Sequence, residues 1–565
     1  MSDYSNRRSG SHARGRRHKT RRLPLIDHAQ PLTRSSSRSS GPSHLSGSIG
    51  HHDQYLHGRP RRRFGGPGLG LALVLVLALV GGGAAWVLTR PASVAITVTP
   101  ADATIIFNGS QTASGTLEVS ELKPGPYTVS VSRKGFESVT STVEAKRWRT
   151  TKVEYDLVAL PQVVSVRTHP DGATCTIERA DGQVFSGVAP FSADVPSGQV
   201  KLTITLAGYN SYAKEISLDE SMTLDYFLDP EGQVLHGIGT ITTLGAPKGV
   251  SVTHDGSEAW TSILNGPPSI EIFNPRTGKK IGEVDIGKYG AVEVIFNRAG
   301  TLAYTSQMET ARCFEIDVKT RTVVREFDTK SAWTKWVQLS PDERTLYASN
   351  WSGDDVSIID LTTGKLVKRI GVSNTPRGMY ATADGATLYV GGFDSGELDK
   401  IDLATGTRTT AFDGGGALRH LVADEKTGRL FISDMSKDLI WVYDMKTGKT
   451  TRFVDVDEKP NTIDLSPDGK VLFVSCRGEN NAKSYYLPGP EWGSVLVFDT
   501  TNGKPLDALI AGNQPTALDV SDDGKLLIFS DFLDNRLRVY EIPDYKTLVA
   551  GNGGRYQAHF AQIKK

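Results

Sequence analysis

The sequence predicts a mainly β protein: one transmembrane helix, two small β-sandwich domains, then a seven-bladed β-propeller. Three observations carry this. Residues 69–88, LGLALVLVLALVGGGAAWVL, are twenty apolar residues without a charge. Residues 93–230 alternate apolar and polar positions in short runs, the period-two signature of half-buried strands. From residue 235 onward turn residues recur about every 42 positions with about four strand-like runs per unit, the spacing of propeller blades. The high glycine content, 58 residues, suits such a turn-rich chain.

The elements follow in order. Residues 1–63 hold fourteen Arg or Lys and three acids, a net charge of +11, and the remainder of the chain carries −10. That split points to two compartments rather than to one nucleic-acid-binding body. The segment has no apolar period and reads as a basic, disordered cytoplasmic tail. Its RSSSRSS run (34–40) is open to phosphorylation, and its HHDQYLH run (51–57) reads as solvated histidines rather than a metal site. Residues 64–90 read as a signal anchor, because the basic region before the apolar run is far longer than that of a cleaved signal peptide. At ~1.5 Å per residue the run spans a ~30 Å hydrocarbon core. Arg61–Arg63 then face the cytoplasm, so the expectation is a single-pass protein of the cell membrane with its bulk extracytoplasmic. Cys175, Cys313 and Cys476 are far apart and odd in number, so no disulfide framework is expected.

Residues 93–160 and 161–230 repeat one scheme. Pro100-Ala101-Asp102-Ala103 aligns with Pro170-Asp171-Gly172-Ala173, Pro124-Gly125 with the Pro196-Ser197-Gly198 turn, and Lys134-Gly135-Phe136 with Ala207-Gly208-Tyr209. Both segments resemble PEGA domains, small β-sandwiches found mostly in bacterial exported and surface proteins. Neither holds paired acids or a nucleophile arrangement, so they read as stalk modules.

In residues 235–548 the hairpin positions align as Gly256, Gly300, Glu343, Gly385, Thr427, Gly469 and Gly524, spaced 44, 43, 42, 42, 42 and 55. LYASN (346–350), LYVGG (388–392) and LFVSC (472–476), with SPDE (340–343) and SPDG (466–469), resemble the YVTN family of propellers. The seventh unit lacks its fourth strand, and Gly239–Thr243 is expected to supply it. Residues 549–565 are left as a C-terminal tail.

Eight residues before each hairpin position stand Lys248, Val292, Lys335, Arg377, Arg419, Asn461 and Thr516. Four of the seven are cations, and proline precedes the position in four units (Pro247, Pro376, Pro460, Pro515), where fixed φ suits entry into a strand. The expectation is a cationic funnel of Lys248, Lys335, Arg377 and Arg419, with Arg477 nearby, that concentrates anions. Trp336, Trp351, Tyr485, Tyr486 and Trp492 are expected on the same face. The last three lie in an enlarged loop, 477–493, that accounts for the 55-residue spacing.

The sequence therefore reads as a membrane-anchored binding protein for an anionic envelope glycan, an anionic polymer or a partner protein. No cofactor, metal, nucleic acid or catalytic residue is expected. One alternative is a hydrolase: LRHL (418–421) is similar to the Arg-His piece of lactonase propellers, with His420 in the channel, and that reading needs a carboxylate on His420. The other is a passive envelope scaffold, which needs each cation in its own ion pair.

Overall fold

The computed structural model describes residues 91–565 apart from residue 552. The anticipated tail (1–63) and apolar anchor (64–90) lie outside the described residues.

Two sandwiches come first, with one topology. In each, a three-stranded sheet faces a four-stranded one. In the first, Ala92–Thr99 lies between antiparallel Thr116–Leu122 and parallel Thr150–Asp156. In the second, Pro161–His169 lies between antiparallel Phe191–Pro196 and parallel Met222–Phe227. The alternation in sequence is the alternation in burial. Val94, Ile96 and Val98 point into one core with Ile105, Phe107, Val129 and Val131. Val164, Val166, Ile177, Leu202 and Ile204 do the same in the second. At ~25 cal/mol per Å² of apolar surface, two facing rows of this kind hold a domain of about 70 residues without a disulfide. The three cysteines are free and buried.

Seven separate four-stranded antiparallel sheets follow. The fourth shows the pattern: Pro376–Ala381, Thr387–Gly392, Glu397–Asp402 and Arg408–Asp413 pair in sequence order. The first and second strands are almost wholly buried, while the fourth faces solvent. Gly385 turns the first hairpin with φ +69°, and Glu343 takes the same left-handed conformation in the third sheet. The strand expected at Gly239–Thr243 is His236–Thr242, which pairs with Arg536–Glu541 and completes the seventh sheet.

The expected fold class is corrected on two counts. The strand-to-strand hydrogen-bond ladder ends at the edge of each four-stranded sheet, and no single closed propeller sheet is found among the described residues. Neighbouring sheets are joined by side-chain packing between first strands: each packs beside the next, and Pro515–Val520 of the seventh packs on Pro247–Val252 of the first. Second, no helix among the described residues is long and apolar enough to cross a membrane. What the chain shows is a mainly β fold of two sandwiches and a seven-sheet array.

The last residues are not a free tail. Helices Tyr545–Gly551 and Phe560–Ile563 dock on the array. Leu548 joins the core of the last sheets, and His559 is fully buried with Nε2 2.8 Å from Asp457 Oδ2.

Candidate functional site

The first strands begin with a common irregularity. Register slips between Pro247 and Gly249, Thr334 and Trp336, Pro376 and Met379, and Leu418 and His420. The residues left out of the ladder are Lys248, Lys335, Arg377 with Gly378, and Arg419. A bulge re-aims a side chain, so each cation is delivered at the same level of its strand. Serines on second strands donate to backbone carbonyls at the entry of the next sheet: Ser262 to Val292 (2.7 Å), and, within bulges, Ser306 to Lys335 (3.0 Å), Ser349 to Arg377 (2.9 Å) and Ser433 to Asn461 (2.7 Å).

The cations come together. The charges of Lys335, Arg377, Arg419 and Arg477 all act on Lys248, whose ammonium burial and these neighbours hold well below its usual range. Burial, then Arg377 and Arg419, depress Lys335 in the same way. Arg377 is 2% and Arg419 5% exposed. Burial first, then Arg377, pushes Arg419 well down, and burial brings Arg477 to about 10. Two acids, Asp394 and Glu293, act on Lys335, and among the described residues Glu293 alone hydrogen-bonds a member of the set. Glu293 Oε1 accepts from Arg377 Nη2 at 3.0 Å. Burial pushes its carboxyl up while Arg377, Arg419 and Lys248 pull it back.

Among the described residues Lys248, Lys335, Arg419 and Arg477 make no ion pair, so the condition for a passive scaffold is met by Arg377 alone. Three guanidinium donors, Arg377 Nη1, Arg419 Nη1 and Arg477 Nε, are buried without a hydrogen-bond partner, as is Trp336 Nε1. A buried donor left unpaired costs about 1–3 kcal/mol, more when charged. Such a cluster is assembled against stability.

Aromatic rings support the cations. Lys335 Nζ lies 3.5 Å from the Trp351 ring centre, Lys248 Nζ 4.9 Å from Phe532, and Arg477 Cζ 5.7 Å from Tyr485. Tyr485 and Tyr486 stack at 4.0 Å and are both exposed. Trp336 meets His420 edge-on at 4.6 Å. Trp492 is elsewhere: Lys565 Nζ covers its ring at 4.3 Å and its N–H donates to Ile563 O. The docked carboxyl-terminal segment has captured the far end of the enlarged loop, so Trp492 leaves the candidate set.

Below the cations the inner strands enclose a cavity of about 280 Å³ lined by Glu293, Trp336, His420, Thr462, Asp464 and Asp519. His420 Nδ1 accepts from Ile463 N–H at 3.4 Å, and no carboxylate among the described residues bonds it. Burial and the nearby arginines lower it to about 3. The partner a lactonase-like base requires is not in place. Farther along, burial raises Asp464 to about 7 and lifts Asp519 well above the carboxylate range, with Asp464 adding to the lift. Glu458, Glu479 and Glu491 gather carboxylate oxygens within 4.8 Å of one another. Glu458 already pairs with Lys459 and Glu491 with Lys564, which leaves little charge for a metal ion.

Sequence reasoning missed Glu293, the serine row and Gln514, which accepts from Arg477 Nη2 and donates to Tyr485 O. The serines carried a signal: Ser262, Ser306, Ser349 and Ser433 follow the repeat of the hairpins. Glu293 and Gln514 carried none.

The fold and the site define a mainly β protein in which sandwich modules precede a sheet array with a cation cluster on its inner strands. Residues 92–160 and 162–231 each match the PEGA domain family. Over 360 residues the chain is 31% identical to Antigen Lp49 of Leptospira interrogans serogroup Icterohaemorrhagiae serovar copenhageni. That alignment spans 60% of this chain and 77% of the antigen, and the chain belongs to the family of that antigen. A solved chain of Kuenenia stuttgartiensis hydrazine synthase is similar with TM-score 0.47 and 19% identity, covering 54% of this chain and 97% of that one. At that score the likeness carries no functional information.

Proposed function

We propose that this protein is an extracytoplasmic binding protein that takes an anionic ligand into the cation cluster of its inner strands. The observation that carries the reading is the set of buried, unpaired guanidinium donors of Arg377, Arg419 and Arg477, with Glu293 the one carboxylate that pairs with them among the described residues. Uncompensated buried charge is costly, and a ligand that supplies the counter-charge recovers that cost on binding. PEGA modules and kinship with a protein named as an antigen favour a place outside the cytoplasm. The partly exposed rings of Trp333, Tyr485 and Tyr486 border the cations and suit a ligand with a planar or apolar body.

The test is retention of the purified chain on isolated cell-envelope material. Wild type is expected to bind at low salt and to elute as salt screens the cluster. Changing Lys335, Arg377 and Arg419 together to Ala, or Lys335 and Arg419 to Met where folding must be kept, is expected to abolish retention. Equal retention of the folded double variant overturns the reading.

A further inference from the structure

The geometry points to a phosphoryl group, a tetrahedral oxyanion with more than two free oxygens, as the ligand moiety seated by Arg377, Arg419 and Arg477. This rests on the anion-binding reading above and narrows it.

Three observations carry the inference. The unpaired donors belong to three different guanidinium groups, from the fourth, fifth and sixth sheets, so they approach from three directions. A planar carboxylate offers two oxygens in one plane, both taken up by a single bidentate fork; a tetrahedral anion presents oxygens in several directions, one for each fork. Arg419 stands between the other two in electrostatic terms, since the charges of both Arg377 and Arg477 act on it. Each of the three is already held on one side. Arg377 Nη2 is fixed by Glu293, Arg477 Nη2 by Gln514, and Arg419 is packed at 5% exposure. The free N–H groups are therefore pre-oriented, and little side-chain entropy is left to lose on binding.

Charge points the same way. Arg377, Arg419 and Arg477 against the one carboxylate hydrogen-bonded to them, Glu293, leave an excess that a single carboxylate does not neutralise, whereas a phosphate monoester brings close to two negative charges at neutral pH. Two sources share this chemistry: a small phosphate monoester, and a polymer that ends in a phosphate monoester and runs out beside Tyr485 and Tyr486.

Titration calorimetry with the full chain separates the possibilities. Inorganic phosphate and glycerol phosphate are expected to bind at least 10-fold tighter than acetate or succinate at equal ionic strength. A glycan oligomer with a terminal phosphate monoester is the arm for the polymer source, and tighter binding than glycerol phosphate assigns the site to it. Arg419→Met is expected to weaken phosphate binding by 10-fold or more. Arg477→Lys, which keeps the charge and loses the planar fork on a partly exposed side chain, is expected to weaken it 3- to 10-fold with folding intact. Equal affinity for succinate and phosphate overturns the phosphoryl assignment while the anion-binding reading stands. Phosphate binding untouched by Arg477→Lys overturns the seat. No binding of any anion removes both.

Discussion

Glu293→Gln tests the electrostatics of the cluster directly. Among the described residues the carboxylate is the one acid that hydrogen-bonds a member of the cluster, at 3.0 Å from Arg377 Nη2. Burial disfavours its charge and the neighbouring cations favour it, with burial the larger effect. Because burial outweighs the attraction, the isosteric amide, which still accepts from Arg377, is expected not to destabilise the protein. Ligand affinity is expected to respond far more. An anion oxygen on Arg377 Nη1 sits about 8 Å from the Glu293 carboxylate, across the width of the guanidinium. At an effective dielectric of ~20 the repulsion removed is about 2 kcal/mol, a gain of roughly 30-fold in affinity. Calorimetry with inorganic phosphate reads the second quantity and urea unfolding the first. Unchanged or weaker phosphate binding in a variant of wild-type stability refutes the argument that one paired acid tempers the cluster.

Asp519→Asn is expected to stabilise the protein at pH 8 and leave it unchanged at pH 4. The folded chain keeps the Asp519 proton well above the pH, about 4, at which the unfolded chain releases it, so this stability is whole below about pH 4 and is lost as pH rises. Urea unfolding at the two pH values checks it, and the amide retains an acceptor for Val252 N–H. His559→Ala is expected to cost about 1–3 kcal/mol, because it strips Asp457 of a buried partner. Limited proteolysis should then cut the 477–493 loop faster, since Lys564 and Lys565 tie that loop down through Glu491 and Gly489; an unchanged cutting rate would separate the helix from the loop.

Much of this arrangement could be read from residue types and spacing. Alternation placed Val94, Ile96 and Val98 inward because a strand has only two faces. The regular return of turn residues located all seven sheets, and the strand at 236–242 was found because the last unit lacked one. Counting back eight residues found the cations at one level, since equal strand lengths bring equal register positions together. Other features had no local signal. A bulge is set by pairing with the next strand, so the device that aims Arg419 was not visible around Leu418. Glu293 belongs to the cluster only through Arg377, 84 residues away. Trp492 was assigned by its loop, but a segment from the far end of the chain competes for its ring. Where one sheet's hydrogen bonds stop and side-chain packing takes over is likewise a property of the assembled array, not of a repeat.

The pairing of His236–Thr242 with Arg536–Glu541 also governs when the protein can finish folding. Roughly 300 residues separate the two strands, so at about 5–20 residues per second a ribosome needs some 15–60 s to deliver the second after the first. For that interval the early strand has no partner, and nascent-chain aggregation is the hazard. Its composition answers the hazard. Gly237 and Gly239, with the register shift between them, make it a poor template for stray β pairing. A slow, non-local final step of this kind makes translation rate and chaperone supply, more than the strength of any one contact, the determinants of yield.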